Sequence, residues 1–439
     1  MNFTTDYRLE NFILQTQWAD IPAPVQERLR GCMLDLLGAL VAGSGSGQFA
    51  AGLALARRAF RSGDIAVIGA ADTFDFLGAS AAMGHASNAY DIDDGHNIIR
   101  AHPGTSFIGG LLAAGYERDL NAQDFLAALY VSYETTIRMG EAIMDYYQYA
   151  HSSGTFGAVG VAAGAGRIYG LDRAALNNIL SIAEFNAPLV PGIRSVEYPS
   201  MNKDGVPFGV MIGALALLAG QSGFTGNKHL LEADEYRRYL DDLGQNHEVM
   251  ALYFKPYPCC RWGHPAIDAC LALMAEQHVT AQDIKSVTVE TFYKATQLSK
   301  DIPSCADAAQ YNIAYPVAAA IVNNGFSIQQ VENTNDDAVI DMMGRLSFVC
   351  DPELDAQFPA RRLCRAAMVL KDGRRIVSDV HEPRGEACEN IGYDWLADKF
   401  HRITAHRLTS PQQEVFIQRL HNDDWTVRQL ISQVNAALL

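Results

Sequence analysis

Helical periodicity dominates the first 250 residues of the chain and limits the folds that are open to it. In the segment 21–43, apolar side chains recur at steps of three and four residues, with Pro24 suited to the first turn and Gly43 to the far end. Many segments are rich in Ala and Gly, which lets helix backbones approach closely. The pattern predicts a packed all-α domain with further helices within 75–90, 105–118, 122–147, 155–169, 173–186 and 205–222.

Strand patterns appear only beyond the middle of the chain. Residues 286–292 (SVTVETF) alternate as a strand does. Residues 361–382 predict two strands around the turn 371–374, in which Asp-Gly is a strong hairpin signal. Helical segments at 264–277 and 310–324 belong to the same part of the chain. This part of the chain is therefore predicted to be a smaller α+β domain.

The C-terminal tail is helical again, so we expect it to return to the first domain. The predicted organisation is a helical domain formed by residues 1–252 and 391–439, with the α+β domain formed by residues 253–390. Internal repeats, low-complexity linkers and coiled-coil heptads are not evident in the sequence.

Charge and cysteine usage narrow the functional classes. Of the 439 residues, 34 are Lys or Arg and 50 are Asp or Glu, a formal net charge of −16, which argues against nucleic-acid binding and a polybasic membrane anchor. No apolar run reaches the roughly 20 residues of a membrane helix, and the first residues show no signal pattern. Eight scattered cysteines without a CxxC pair argue against a zinc site or a disulfide framework. We therefore expect a cytoplasmic protein without nucleic-acid or membrane partners.

The densest group of titratable residues lies in 90–106 (YDIDDGHNIIRAHPGTS). Asp91 and Asp93 open it as a calcium loop would, but Gly95 and His102 stand where further ligands are needed, so that template fails. A transition-metal site remains open, as does a plain polar loop between two helices. A carboxylate held beside an imidazole could also exchange protons near neutral pH.

Three further groups of residues have both a functional and a structural interpretation. His151 precedes a helix whose first turn could bind an anion, although an ordinary Ser/Thr cap with a bystander histidine explains it as well. Lys203 lies in a polar turn before the most apolar helix, where it could pair with a substrate carboxylate or be solvated. Tyr311 and Tyr315, one helical turn apart, could donate to an oxyanion or pack in the core.

The segment YFKPYPCCRWGHPAID lies at the boundary between the two predicted domains, where pockets commonly form. It contains Lys255, Arg261 and His264, together with the adjacent cysteines Cys259 and Cys260. A nucleophilic cysteine with His264 as its base is one interpretation. A small buried hydrophobic residue is the commoner role of cysteine.

The order of these groups along the chain resembles the MmgE/PrpD family, which includes 2-methylcitrate dehydratases, cis-aconitate decarboxylases and iminodisuccinate epimerases. The motifs that carry the resemblance are HASNAYDIDD…AHPG, HSSGTFGAVGVAAG, MNKDGVPFG…GFTG, KPYPCCRWGHPAIDA and YNIAYPVAAAIVNNG, after an opening MLDLLGALVAG. The resemblance covers nearly the whole chain. It implies a fold that is mostly α with an α+β lid, usually a homodimer, and acid/base chemistry without a metal or another cofactor.

The resemblance also implies roles for individual residues. Similarity to the decarboxylase and dehydratase branches places the following residues at active-site positions: Asp91, His102, His151, Lys203, Lys255 and Tyr315. Cys260 stands where the decarboxylases have a histidine, and Gly95 stands where those enzymes have a threonine. The Asp91–His102 interval is one residue longer than theirs, and together with Asp94 and His96 it is closer to the branch of the epimerase.

Together, these features predict a role for each residue of the site. His102 or His151 carries the proton, Asp91 orients the imidazole, and Tyr315 donates to the reacting centre. The residues expected to bind substrate are Asp94, Lys203, Lys255, Cys260, Arg261 and His264. Lys203 and Lys255 would clamp carboxylates and make the pocket locally positive within an acidic protein.

Three functions are compatible with this set of residues. The first is a cofactor-independent lyase that dehydrates or decarboxylates a small di- or tricarboxylate such as 2-methylcitrate. The second is an epimerase of an imino- or amino-dicarboxylate, which needs a proton carrier on each face of one carbon. The third is an inactive helical binding protein, which the departures at Gly95 and Cys260 would fit.

Overall fold

Helices form most of the first part of the chain. The structure is a computed structural model that describes residues 1–439. The helices of this part are α1 (Arg8–Gln15), α2 (Ala23–Gly43), α3 (Gly47–Ala59), α4 (Phe76–Ser87), α5 (Thr105–Arg118), α6 (Ala122–Tyr147), α7 (Ser153–Ile168), α8 (Arg173–Asn186), α9 (Ile193–Glu197) and α10 (Val206–Gln221). Four short strands accompany them: β1 (Ser62–Ala66), β2 (Thr73–Phe74), β3 (Asp94–His96) and β4 (Leu252–Phe254). Every helix predicted from periodicity is present, most within two residues of the expected bounds.

Capping residues and close contacts explain where these helices begin and how they pack. The Asp75 and Asn121 side chains each accept the backbone N–H three residues on, which starts α4 and α6. At the crossing of α7 and α10, a Cβ on Gly154 would lie 2.1 Å from the Gly205 carbonyl oxygen. Only glycine at position 154 therefore allows the turn before α10 to touch the start of α7.

The second part of the chain adds a four-stranded sheet. Its strands are β5 (Ile284–Thr291), β6 (Leu346–Cys350), β7 (Cys364–Leu370) and β8 (Arg375–Val377), in the order β6-β5-β7-β8. Its helices are α11 (His264–Gln277), α12 (Tyr293–Thr296), α13 (Ala306–Gln310), α14 (Ala314–Asn323), α15 (Ile328–Glu332), α16 (Asp337–Met343) and α17 (Pro352–Asp355). The predicted strand and hairpin are confirmed, whereas β6, which pairs in parallel with β5, was not predicted.

Three helices close the chain: α18 (Tyr393–Thr404), α19 (Ser410–His421) and α20 (Val427–Leu438). The larger of two main apolar clusters draws on helices from both ends of the chain, for example Leu36 and Phe400. The second cluster lies mainly among α11, α14 and the sheet. The fold is mostly α with some β, and the division at residues 252 and 390 stays a prediction. No single helix is long and apolar enough to cross a membrane; only α2 and α3 together, bent by 82°, have the length and composition.

A buried ion pair joins the C-terminal helices to the first part of the chain. Lys399 of α18 lies 2.5 Å from the Asp35 carboxylate of α2, and both side chains are almost wholly buried. The Lys399 ammonium also donates a 2.6 Å hydrogen bond to the carbonyl oxygen of Ile92. Burial raises the pKa of Asp35 to about 6, although the charge of Lys399 opposes this. Lys399 therefore fixes the loop after α4 as well as the packing of α18.

Replacement of Lys399 by Met should destabilise the protein by about 3–5 kcal/mol, because it leaves the Asp35 carboxylate buried without its partner. Urea unfolding followed by circular dichroism measures the change. The matched control is Lys371→Met in the exposed turn between β7 and β8, which should stay within about 0.5 kcal/mol of the wild type. A loss below about 1 kcal/mol for Lys399→Met would contradict this interpretation of the pair.

Candidate active site

The loop between α4 and α5 is held in place by a two-stranded pairing. β3 runs antiparallel to β4, with Asp94 opposite Phe254 and His96 opposite Leu252. Because Lys255 follows β4 directly, this register brings its side chain to the loop, 2.7 Å from Asp91. The backbone hydrogen bonds between β3 and β4 therefore bring the segment that contains Lys255 to the loop that contains Asp91.

His102 lies between two carboxylates. Its Nε2 is 3.3 Å from an oxygen of Asp91, and its Nδ1 is 3.1 Å from an oxygen of Asp93. The Nδ1 atom also lies 2.9 Å from the backbone carbonyl of Asp94. Burial works against a charged imidazole, but the charges of Asp93 and Asp91 outweigh it and raise the pKa of His102 to about 10. At neutral pH the ring is therefore an imidazolium with both N–H groups engaged.

Asp93 is the residue of this site that the sequence prediction missed. Its carboxylate accepts hydrogen bonds from Asn88 (3.0 Å) and Thr105 (2.6 Å) in addition to its contact with His102. Burial alone would raise its pKa, but the charge and hydrogen bond of His102, then the charge of Lys255 and the Thr105 bond, lower the pKa to about 2. The only signal in the sequence is its place two residues after Asp91, which puts both carboxylates beside one imidazole.

Asp94, predicted to bind substrate, has other partners. One carboxylate oxygen accepts the Gly104 N–H at 3.1 Å, and the other accepts the Tyr133 hydroxyl. Burial, and then the charge of Asp93, raise the pKa of Asp94 to about 7. The structure therefore directs this side chain toward α5 and α6, where it ties the loop to both helices, and does not bring it to the lysines.

The two predicted lysines are both buried at this site. Lys255 pairs with Asp91, and the charges of Asp91 and Asp93 raise its pKa although burial opposes them. Lys203 lies 2.6 Å from the Gln310 amide oxygen and 2.8 Å from the Asp307 carboxylate, both on α13. Burial lowers the pKa of Lys203, while Asp307 and Asp91 oppose that change. Asp91 and Lys203 both have left-handed backbone, with φ of 50° and 47°, a strain that occurs preferentially at functional sites.

The start of α7 joins the loop to the turn before α10. The backbone N–H of His102 donates to the Ser153 hydroxyl at 2.8 Å, and the Ser153 N–H donates to Asp204 at 2.8 Å. His151, two residues earlier, is buried with neither ring nitrogen hydrogen-bonded. Burial lowers its pKa to about 4, so His151 is neutral where His102 is charged.

The two tyrosines flanking the start of α14 differ in their surroundings. The Tyr315 hydroxyl donates to the backbone carbonyls of Gln330 and Asn333, at 2.6 and 2.8 Å, and points into the second apolar cluster. The Tyr311 hydroxyl has no hydrogen-bond partner in the protein. Burial, and then the charge of Asp91, raise the pKa of Tyr311 well above its usual value. The Tyr315 hydroxyl is therefore held by backbone carbonyls, whereas the buried Tyr311 side chain is under the electrostatic influence of Asp91 and Asp204.

The remaining predicted residues line the same region without forming a nucleophile and base. His264 donates through Nε2 to the Cys259 carbonyl at 3.0 Å, and burial lowers its pKa well below the usual value. Burial and the Asp91 charge raise the pKa of the Cys260 thiol to about 12, so this thiol is not a reactive nucleophile. Arg261 pairs with Glu386.

Asp91, Asp93 and His102 are also close enough to hold a metal ion, with their ligand atoms all within 4.8 Å of one another. The charges at the site, however, are already balanced without a metal ion. Lys255 and the imidazolium of His102 already balance the two carboxylates, and a cation would have to displace both. The expectation of chemistry without a metal stays a prediction, supported by this balance.

Comparison with models of known protein families identifies the family of this chain. Residues 7–242 match the MmgE/PrpD N-terminal domain, and residues 257–423 match the MmgE/PrpD C-terminal domain. The chain belongs to the MmgE/PrpD family. The comparison with individual curated proteins gave no match. As the MmgE/PrpD family includes lyases such as 2-methylcitrate dehydratase, membership supports an enzyme of the dehydratase or lyase type.

Replacement of Asp93 by Asn should lower the pKa of His102 from about 10 toward its usual value near 6.5, because the carboxylate charge that most favours the imidazolium is removed. NMR titration of protein labelled at histidine measures this, with the His102 signal assigned by its loss in His102→Asn. Asp424→Asn, at an exposed position, is the control and should leave the titration unchanged. An unaltered pKa in Asp93→Asn would contradict the assignment.

The same contact has a consequence for stability. Because the folded-state pKa of His102 lies above its unfolded value, its stabilising effect is complete below pH about 6.5 and is lost as the pH rises through about 10. The Asp93→Asn protein should show a weaker loss of stability across that window.

Proposed function

We propose that this protein is a cofactor-independent lyase that dehydrates or decarboxylates a small di- or tricarboxylate such as 2-methylcitrate. The observation that carries the proposal is the imidazolium of His102, held between Asp91 and Asp93 beside the buried lysines Lys203 and Lys255. A proton donor and two cations in a dry site suit reactions that create or quench negative charge next to a carboxylate.

For a dehydration, the residues divide the work as follows. A base removes the proton from the carbon next to a carboxylate, and the electron pair forms the carbon–carbon double bond as the hydroxyl leaves. The imidazolium of His102 protonates the leaving hydroxyl, so that water departs. His151, neutral and with free ring nitrogens, is the candidate base. In a decarboxylation, carbon dioxide leaves instead and His102 protonates the resulting carbanion.

The two lysines, Lys203 and Lys255, stabilise negative charge on the substrate. Negative charge that develops on a substrate carboxylate is stabilised by an ammonium fixed in advance in a buried site. Lys255 is already oriented by Asp91, whereas Lys203 is balanced by Asp307 and Gln310 of α13. We infer that a substrate carboxylate replaces Asp307 as the counter-ion of Lys203. This exchange would select di- and tricarboxylates, since a monocarboxylate could engage only one lysine.

Epimerisation of an imino- or amino-dicarboxylate is the second candidate. It is favoured by the opposite protonation states of His102 and His151, because one histidine must donate a proton while the other accepts one. The lyase is preferred because the two lysines and the acid account for loss of a leaving group, which an epimerase does not need.

The proposed function is tested by proton exchange. The protein is incubated in heavy water with 2-methylcitrate, citrate, cis-aconitate or racemic iminodisuccinate, and hydrogen signals next to the carboxylates are followed by NMR. Exchange with loss of water or carbon dioxide supports the lyase, and exchange without a new product supports the epimerase. If none of these compounds shows exchange, the inactive binding protein becomes the better interpretation.

Replacement of His102 by Asn should then lower kcat by about 10²–10⁴-fold, the usual contribution of a positioned acid or base. The matched control is His401→Asn, because His401 is a partly exposed histidine paired with Glu414 away from the site. Activity that survives in His102→Asn would show that the proton comes from another group.

Two tyrosine variants distinguish the sequence prediction from the structure. Tyr311→Phe removes a buried hydroxyl that is under the electrostatic influence of Asp91, so kcat should fall by about tenfold or more. Tyr315→Phe removes a hydroxyl bonded only to backbone carbonyls, so it should lower stability with little change in kcat. The opposite result would restore Tyr315 to the catalytic role that the family resemblance implies.

We also propose a cytoplasmic homodimer. All eight cysteines are free, as a reducing compartment requires. One side of α10 exposes Phe208 and Leu215, at 47% and 48%, and Phe224 just beyond it is 59% exposed. A second copy that covers this apolar side would remove it from water, and the particle mass from light scattering decides between monomer and dimer.

A further inference from the structure

A cavity lies beside the loop between α4 and α5, which contains Asp91 and His102. It has a volume of about 420 Å³, and none of the acid, base or lysine residues described above lines it. Its wall includes Ile92 and Pro256, each next in sequence to a residue of the site, Asp91 and Lys255. The cavity and the candidate active site therefore share two backbone segments but present different side chains.

Two arginines stand at the rim of this cavity. Arg384 is balanced, because its Nε lies 2.7 Å from the Asp268 carboxylate. Arg402 of α18 has neither an ion pair nor a hydrogen bond to any other group of the protein. Burial, and then the charge of Arg384, lower the pKa of Arg402, although the charges of Tyr257 and Asp398 oppose this. Asp398, one turn earlier on α18, makes no ion pair with it.

The rest of the cavity lining is mixed, with apolar side chains beside the polar residues Asn323, Asn324, Ser327 and Gln330. Tyr257, Phe326 and Ile403 contribute ring and aliphatic surface. The side-chain amide of Asn324 also lines the cavity and has no hydrogen-bond partner in the protein. A guanidinium without an ion-pair partner, a free amide and the adjoining aromatic surface together match a ligand that has an anionic head and an apolar body.

We propose that this cavity is a binding site for an organic anion, with a carboxylate or phosphate head on Arg402 and an apolar or aromatic body against Tyr257 and Phe326. The site is separate from the proposed catalytic centre, and its occupancy does not depend on the reaction proposed above.

The position of Arg402 connects such a ligand, through contacts within the protein, to the loop between α4 and α5. Lys399 lies three residues earlier on α18 and donates to the Ile92 carbonyl at 2.6 Å. Ile92 itself forms part of the cavity wall and adjoins Asp91. An anion on Arg402 therefore touches both the helix that holds the loop and the loop itself, so we expect the His102 NMR signal to shift when the cavity is filled.

Isothermal titration calorimetry of the full-length protein with phenyl phosphate and with 4-phenylbutyrate tests the proposal. We expect one site for at least one compound, and the tighter one identifies the head group. Arg402→Gln should weaken binding at least about tenfold, equivalent to about 1.4 kcal/mol. As a second variant, Asn324→Asp places a negative charge at the cavity and should weaken binding as well. Arg402 is partly exposed and makes no ion pair, so the fold should survive its replacement, and the thermal unfolding midpoint checks this.

Two controls locate the bound anion. Arg375→Gln, at an exposed arginine of β8 without an ion pair, should leave affinity unchanged. Lys203→Met, in the candidate active site, should also leave it unchanged. Absence of binding by both compounds would overturn the proposal. Binding that is lost in Lys203→Met but retained in Arg402→Gln would also overturn it, since the anion would then occupy the catalytic centre.

Discussion

The balance of charge around His102 is the constraint on which the rest of the structure depends. Three acidic residues within four positions of one loop, Asp91, Asp93 and Asp94, are buried, and an unpaired carboxylate in a protein interior is very costly. The imidazolium and Lys255 neutralise the first two, and a tyrosine hydroxyl and a backbone N–H bind the third. Other segments of the chain must therefore meet at this loop for it to be buried at all.

The fold supplies those segments from distant parts of the sequence. The pairing of β3 with β4 delivers Lys255, and the glycine contact between α7 and α10 places Ser153 beside the turn that contains Lys203 and Asp204. From the C-terminal helices, Lys399 fixes the Ile92 carbonyl. Each contact joins residues more than fifty positions apart, so the site exists only when the helical part is fully assembled.

The sequence predicted helices well and contacts less well, for physical reasons. Periodicity reports which face of a helix is apolar, and the bounds of α5, α6, α8 and α11 matched it. A parallel partner such as β6 is specified by distant packing, and its short, half-exposed strand carries little local signal.

Prediction of the site was limited in the same way, because the sequence indicated its residues but not the directions of their side chains. Titratable residues clustered in the sequence also cluster in space, so His102, Lys203 and Lys255 were predicted without a structure. Side-chain direction was not predictable: the Asp93 carboxylate rather than that of Asp94 meets the imidazole, and the Tyr315 hydroxyl bonds to the backbone carbonyls of Gln330 and Asn333. Neighbouring positions of one motif differ only in direction, which the tertiary fold decides.

The contact between Lys203 and Asp307 links anion binding to protons. Lys203 and Lys255 already have carboxylate partners in this buried space, Asp307 and Asp91. A dicarboxylate of the kind proposed above would bring two more negative charges there. Either Asp307 would then withdraw from Lys203 toward solvent, or the protein would take up a proton. In the second case the affinity for that dicarboxylate would increase as the pH falls, and its binding would draw protons from the buffer.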